Sequence, residues 1–236
     1  MKIAGFQKTS LIEYPGKIVS VIFTQGCNLK CPYCHNSELI SLESKKGTYF
    51  PVDNLLSFLQ KRKGLIDGIS ITGGEPTLQP DLIELAREIK AFGLRIKLDT
   101  NGTNPAILKR LIVNNLLDYI AMDVKAPLSK YEVITGRGKL SDQIKQSIEL
   151  IKEAGTGQAG IEYEFRTTVV PGLHEIDDIK QIGLMIRSGA KYYLQNFRPV
   201  NTLDPELMKV NGFPPTKLIQ FAEAISPYVK QVEIRT

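Results

Sequence analysis

The sequence predicts an α/β fold in which parallel strands alternate with helices. Two observations carry this prediction. Short apolar runs rich in β-branched residues alternate with helical patterns six times along the 236 residues. Hydrophobic residues at 42% and charged residues at 23% are typical of a globular domain with a substantial core. No linker or internal repeat interrupts the alternation, so we expect a single domain over residues 1–236.

The elements follow in order. Residues 1–16 show no clear periodicity and are expected to form a leading strand or arm. Six buried strands are predicted over residues 18–23, 68–72, 94–99, 118–123, 162–170 and 192–196. Helices are predicted from residue 52 to near 64 and over residues 81–92, 105–116, 141–154, 176–188 and 216–225. A terminal strand is expected at residues 231–234.

Six strand–helix units imply right-handed crossovers and a parallel sheet. They are too few for a closed eight-fold barrel, and an open (β/α)6 partial barrel fits the count. A doubly wound sheet stays open as an alternative, because periodicity does not decide whether a sheet curls.

All three cysteines of the chain lie in one short stretch. Cys27, Cys31 and Cys34 have C-x3-C-x2-C spacing, and closely spaced thiolates are the usual ligands of iron–sulfur clusters. Three ligands on a four-iron cluster leave one iron open to an outside molecule. A structural zinc site normally has four protein ligands. His35 would be the fourth, but it directly follows Cys34 and would form a strained chelate, so zinc remains the weaker alternative.

The cysteine spacing, with Tyr33 just before the third cysteine, resembles the radical S-adenosylmethionine (SAM) superfamily. The longer pattern over residues 5–11, 14–16 and 26–36 is similar to the anaerobic ribonucleoside-triphosphate reductase activating proteins, a branch of the glycyl-radical enzyme activating enzymes. The resemblance implies a partial (β/α)6 TIM-like barrel and a [4Fe–4S] cluster on the three cysteines. It also implies that Tyr33 and His35 border the adenine of SAM.

Polar residues recur at the carboxyl ends of the predicted strands, where parallel barrels gather their active sites. After the second strand come Gly73, Gly74 and Glu75. The glycines let backbone approach a ligand closely, and the carboxylate is an acceptor for an ammonium. A tight turn is the plain alternative. The stretch resembles the Gly-Gly-Glu motif of the superfamily, which receives the amino group of SAM.

Carboxylates follow the next two strands, at Asp99 and Asp123. The resemblance to pyruvate formate-lyase activating enzymes implies that these two residues, Thr100 and the Ala121 carbonyl bind Na⁺ or K⁺ beside SAM. Oxygen ligands suit such a hard cation. Lys125 is then expected near the SAM carboxylate or ribose. A surface ion pair between Asp123 and Lys125 is the alternative.

The last two strands supply weaker candidates. Arg166 is expected to steady the SAM carboxylate or a partner's backbone, unless it packs against a neighbouring acid. Asn196 is a candidate SAM contact. Pyruvate formate-lyase activating enzymes have a histidine near this position, and its absence counts against that activity. His174 follows a Pro-Gly pair and is expected to be a loop residue.

The resemblance implies reductive cleavage of SAM to a 5′-deoxyadenosyl radical, which removes a hydrogen atom from a glycine of a partner enzyme. The expected partner is an anaerobic ribonucleotide reductase, and the expected reductant is a flavodoxin or ferredoxin. With only three cysteines, no auxiliary cluster domain is expected. Two alternatives stay open: a small-molecule enzyme such as 7-carboxy-7-deazaguanine synthase, and a non-catalytic iron–sulfur electron carrier.

Composition and charge limit the compartment and the classes of partner that we expect. No apolar run is long enough to span a bilayer, and residues 1–5 lack the apolar core of a secretory signal. A net charge of +5, spread along the chain, makes no nucleic-acid footprint. Clustered cysteines suit a reducing compartment, so we expect a cytoplasmic protein with neither nucleic-acid nor membrane partners.

Overall fold

A computed structural model describes residues 1–43, 47–157 and 160–236. The strands are β1 Ile3–Ser10, β2 Val19–Thr24, β3 Gly68–Gly73, β4 Arg95–Thr100, β5 Tyr119–Asp123, β6 Glu162–Val169, β7 Gly189–Asn196 and β8 Val229–Arg235. The helices are α1 Val52–Lys61, α2 Leu82–Ala91, α3 Pro105–Val113, α4 Tyr131–Thr135, α5 Ser141–Thr156, α6 Ile176–Met185 and α7 Pro215–Ile225. Short 3-10 turns lie at Ser37–Leu39, Pro76–Leu78, Leu128–Lys130, Pro205–Lys209 and Ser226–Tyr228.

All eight strands belong to one sheet whose spatial order is the same as their order in the chain. Strands β2 to β8 pair in parallel, and β1 pairs antiparallel with β2 at one edge. A doubly wound sheet reverses its strand order at a switch point. The unbroken order therefore excludes that alternative and, with six strand–helix units from β2 to α7, confirms the partial (β/α)6 barrel.

Side-chain alternation along the strands creates two separate cores. Residues such as Ile96 and Leu98 of β4 belong to the large cluster between the sheet and the helices. The residues between them in sequence face the inside of the curved sheet, because successive strand side chains point to opposite faces. The lower interior is filled by a small apolar cluster of Tyr14, Val19, Val21, Tyr119 and Ala121. Above this cluster the interior residues become polar.

The structure refines the sequence-based prediction in four places. Residues 3–10 form a regular antiparallel strand, and the short helix α4 precedes α5. The seventh strand begins at Gly189, and not at Tyr192. Helices α3 and α6 end three residues earlier than predicted, at Val113 and Met185. In the described parts of the chain, no helix has the length and hydropathy that a membrane crossing requires.

A substitution of Leu98 tests which face of β4 packs against the helices. It is fully buried on the helix-facing side of β4, so Leu98→Ala should lower the free energy of unfolding by about 2–5 kcal/mol. Val113→Ala, at an exposed position at the end of α3, should change it by no more than about 0.5 kcal/mol. Urea denaturation of the two variants measures the difference. If the two substitutions lowered the free energy of unfolding equally, the assignment of β4 residues to the two faces would be contradicted.

Candidate active site

The cysteine loop follows β2 and is held over the carboxyl ends of the strands by backbone hydrogen bonds. The Gly26 and Cys27 N–H groups donate to the carbonyls of Leu39 and Ile40, at 2.8 and 3.0 Å. The Gly26 carbonyl accepts from the Glu75 N–H at 2.8 Å. Gly26 has a φ of +98°, which an L side chain rarely adopts. The loop therefore has a fixed path from β2 to the turn after β3.

The glycines after β3 are required by this path. A Cβ at Gly74 would lie 2.2 Å from the Gly26 carbonyl oxygen, and a Cβ at Gly73 would lie 2.3 Å from the Thr24 backbone nitrogen. The close approach predicted for these glycines is thus made by the protein's own backbone. Both residues still line the central cavity.

The three thiols face a cavity of about 270 Å³ at the mouth of the barrel. Cys31 is buried, while Cys27 and Cys34 are partly exposed. Burial raises the pKa of Cys27 to about 12 and that of Cys31 to about 11. The positive charge of Lys125 opposes this shift but does not overcome burial, so both thiols are protonated at neutral pH. Iron or another metal would supply a stronger positive charge, because thiolates are its ligands.

A single-ion zinc site does not fit this geometry. Within residues 1–43, 47–157 and 160–236, no three His, Cys, Asp or Glu side chains are placed to share one metal ion. The ring of His35, the proposed fourth zinc ligand, stacks on Phe197 with centroids 5.9 Å apart, and its Nε2 lies 2.8 Å from the Arg198 carbonyl oxygen. The three thiols of the cysteine loop, here called the thiol wall, would instead hold an iron–sulfur cluster, whose usual ligands are closely spaced Cys thiolates.

The strand ends supply a second part of the lining, here called the ionic wall, with a network of charged side chains in which Lys97 and Asp99 are buried and the others are partly exposed. Arg166 on β6 joins two carboxylates: its Nε lies 2.9 Å from Asp123 Oδ1, and its Nη1 lies 3.6 Å from Asp99 Oδ1. The Lys97 ammonium also donates to Asp99, and Lys125 Nζ lies 3.1 Å from Asp123 Oδ2. Burial alone would raise the pKa of both carboxyls. The three cations outweigh burial and hold each pKa below its ordinary value.

Most of the predicted site residues meet in this cavity. It is lined by Cys27, Cys31, Cys34, Tyr33, His35, Gly73, Gly74, Asp99, Thr100, Asp123, Lys125 and Arg166. Tyr33 is buried, and its hydroxyl has no hydrogen-bond partner among the described residues. A buried, unpaired hydroxyl beside a cavity is what a missing polar ligand would satisfy.

Glu75 is a predicted site residue that does not line the cavity. The carboxylate is fully buried and accepts hydrogen bonds from the Asn101 N–H at 2.7 Å, the Thr100 hydroxyl at 2.8 Å and the Thr77 N–H at 3.1 Å. Burial raises the pKa of Glu75 although these donors oppose the shift. The side chain ties the β3 turn to the β4 turn, and the contact of this motif with the SAM amino group stays a prediction.

Asn196, for which a SAM contact stays a prediction, is held by the backbone of a neighbouring loop. Its side-chain amide makes two hydrogen bonds with the backbone of Phe213. Oδ1 accepts from the Phe213 N–H at 2.9 Å, and Nδ2 donates to the Phe213 carbonyl at 3.0 Å. The neighbouring residue, Gln195, lines the central cavity instead. Asn196 lines only an adjoining cavity of about 240 Å³, which shares His35, Thr168 and Gln195 with the first.

Seven lining residues were not among the site residues predicted from the sequence: Leu29, Asn36, Ile40, Thr72, Asn101, Thr168 and Gln195. Strand alternation was the signal for Thr168, which lies two positions after the inward-facing Arg166. The Asn101 amide donates to the Asn28 side chain at 3.0 Å and lies 3.9 Å from the Cys27 sulfur.

His174 is more than a loop residue. Its Nδ1 accepts from the Val170 N–H at 3.1 Å, so the proton is on Nε2, which donates to the Lys125 carbonyl at 2.9 Å. Burial lowers the pKa of His174, in agreement with a neutral ring. The imidazole therefore fixes the backbone of Lys125 to the turn after β6.

Comparison with known proteins agrees with this geometry. The sequence profile of the Radical SAM superfamily matches residues 21–183. A Methanocaldococcus jannaschii protein named "Putative glycyl-radical enzyme activating enzyme MJ1227" is 38% identical over 99% of this chain and 95% of its own length. The pyruvate formate-lyase-activating enzyme of Clostridium pasteurianum is 27% identical over 90% of this chain and 85% of its own length.

A solved structure supports the fold. Streptococcus suis SuiB bound to S-adenosylmethionine matches with a TM-score of 0.66 over 92% of this chain, at 16% identity. The match covers 50% of the SuiB chain and bears on architecture alone. The superfamily uses a [4Fe–4S] cluster and SAM, and the thiol wall and the unpaired Tyr33 hydroxyl fit those groups. The chain therefore belongs to the radical SAM superfamily and, within it, to the glycyl-radical enzyme activating enzymes.

Proposed function

We propose that this enzyme generates a glycyl radical on an anaerobic ribonucleoside-triphosphate reductase. The observation that carries the proposal is the meeting of three thiols and a strand-end charge network around one cavity. The finer choice of partner is supported by the resemblance over residues 5–11, 14–16 and 26–36 to activating proteins of that reductase. The absence of a histidine at position 196 favours it over a pyruvate formate-lyase partner.

We assign the residues as follows. Cys27, Cys31 and Cys34 hold the cluster, and the His35 and Tyr33 rings border the adenine. When bound, the cluster and SAM supply a one-electron cleavage of the sulfonium C–S bond. Lys125 faces an anionic or hydroxyl group of SAM, because its ammonium is held by Asp123 beside the cavity.

The contacts of Arg166 support the alternative in which it packs against neighbouring acids. Its Nε donates to Asp123, and its Nη1 lies 3.6 Å from Asp99 and 3.8 Å from Glu164. An arginine placed among three carboxylates fixes their positions. We therefore propose that Arg166 orients Asp123 and, through it, Lys125.

The adjoining cavity gives the partner's glycine loop a route to the site. It continues from His35, Thr168 and Gln195 toward Arg198 and Arg235. Arg235 is stacked on the Tyr193 ring, with its guanidinium carbon 3.4 Å from the ring centroid, and is paired with the buried Glu164. A peptide loop entering here would meet backbone groups and polar side chains and would then reach the central cavity.

The electron donor is proposed to approach the outer side of the cysteine loop. The segment at residues 135–137 packs on this loop: the Lys30 N–H donates to the Thr135 carbonyl at 2.7 Å, and Arg137 donates to the Asn28 carbonyl at 3.3 Å. Both basic side chains are exposed. Their charge suits an acidic flavodoxin or ferredoxin in a cytoplasmic, reducing setting.

The role of Gly74 is tested by Gly74→Ala. The added methyl group would collide with the Gly26 carbonyl, so the cysteine loop must shift. We expect lower iron incorporation and a loss of about 1–3 kcal/mol in the free energy of unfolding. Gly5→Ala is the matched control, because its Cβ would make an ordinary 3.4 Å contact with Phe23. Iron content and urea denaturation measure both effects. Normal iron content in Gly74→Ala would contradict the proposal that the position of the cysteine loop depends on the absence of a side chain at Gly74.

The proposed activity is tested by anaerobic incubation with a reductant, SAM and the anaerobic ribonucleotide reductase of the same organism. We expect a glycyl doublet in the electron paramagnetic resonance spectrum that requires both proteins and SAM. Cys31→Ala, which lacks one of the three proposed cluster ligands, is the negative control and should give no doublet. A missing doublet with the intact protein, together with turnover of a purine-like or pterin-like compound, would transfer the assignment to the small-molecule alternative.

A further inference from the structure

We propose that the Lys97 ammonium takes the place of the alkali cation expected at Asp99, Thr100 and Asp123, so that this protein holds SAM without bound Na⁺ or K⁺. The inference rests on the proposed use of the cavity for SAM and does not depend on the identity of the partner enzyme. Lys97 lies in none of the motifs that the sequence analysis singled out.

The position of Lys97 is unusual for a lysine. Only 2% of the residue is exposed, although lysine is almost never fully buried unless it is paired. It lies two residues before Asp99 on β4, so both side chains point into the barrel. Its ammonium donates to Asp99 Oδ1 and lies 6.0 Å from the centroid of the Tyr119 ring. The amine thus sits beneath the carboxylate that was expected to bind the cation.

The other side chains of the expected cation site are also engaged. The Thr100 hydroxyl donates to Glu75 at 2.8 Å and accepts from the Gly102 N–H at 3.1 Å. Asp123 receives Arg166 on one oxygen and Lys125 on the other. Both carboxylates and the hydroxyl therefore already have protein partners, and the donor set does not fit an alkali ion.

Charge balance leads to the same conclusion. Lys97, Arg166 and Lys125 together compensate Asp99 and Asp123, and the next acid, Glu164, is contacted by both Arg166 and Arg235. Neither Asp99 nor Asp123 therefore needs an alkali ion for its compensation, whereas in a site without these amines a monovalent ion would offset one of the two negative charges. Lys97 is therefore a positioning residue that acts through Asp99.

Calorimetry of SAM binding tests the inference. The anaerobically reconstituted protein is titrated with SAM in choline chloride and in potassium chloride of equal ionic strength. The wild-type dissociation constant should be the same in both salts. Lys97→Ala should bind SAM roughly tenfold more weakly in choline and recover in potassium or methylammonium, a coupling in the usual range between two sites. Lys90→Ala, which removes a paired lysine of α2, is the matched control and should respond to neither cation.

Two further measurements keep the inference falsifiable. If Lys97→Ala does not fold, Lys97→Gln retains the length of the side chain without its charge and should also acquire potassium dependence. Crystals soaked in thallium(I) should show no anomalous peak between Asp99 and Asp123 in the wild type. Wild-type binding that strengthens in potassium, or a thallium peak at this place, would overturn the inference. A wild-type protein that binds no SAM in either salt would instead contradict the proposed site.

Discussion

Two carboxylates at the ends of neighbouring strands, the buried Asp99 and the partly exposed Asp123, impose the main electrostatic constraint on this barrel. Asp99 and Asp123 lie in the polar upper interior, where an unpaired charge would cost several kcal/mol. Arg166 bridges them, and Lys97 and Lys125 complete their pairing. These five residues come from β4, β5, β6 and the turn after β5, so the network holds adjacent strand ends together. The arrangement of these strand ends therefore follows from the need to compensate the negative charges of Asp99 and Asp123.

The thiol wall is held by backbone contacts and not by ion pairs. The cysteine loop is fixed by backbone hydrogen bonds to residues 39, 40 and 75 and by the absence of a side chain at Gly74. The buried Glu75 joins this wall to the charged one, because it binds Thr77 after β3 and both Thr100 and Asn101 at the end of β4. The cysteine loop and the charged strand ends therefore line one cavity.

Much of the fold was predictable from local pattern. Six apolar runs separated by helices correctly identified the parallel strands, and the strand-end rule correctly placed Asp99, Asp123 and Lys125 around one cavity. Tertiary pairing of side chains was not predictable. Whether Glu75 points to a ligand or into the protein depends on donors 25 residues away, which no local pattern records. The pairing of the Asn196 amide with Phe213 is likewise a tertiary contact. The buried position of Lys97 was not predicted, because a lysine in a strand normally indicates a face that is exposed to solvent.

The central claim is that cluster and SAM share the cavity between the thiol wall and the ionic wall. The most direct measurement is electron paramagnetic resonance of the reduced, reconstituted protein with and without SAM. Coordination of SAM to the open iron should change the g-values and line shape of the cluster signal at once. A reduced-cluster spectrum that stays the same at saturating SAM would contradict the account.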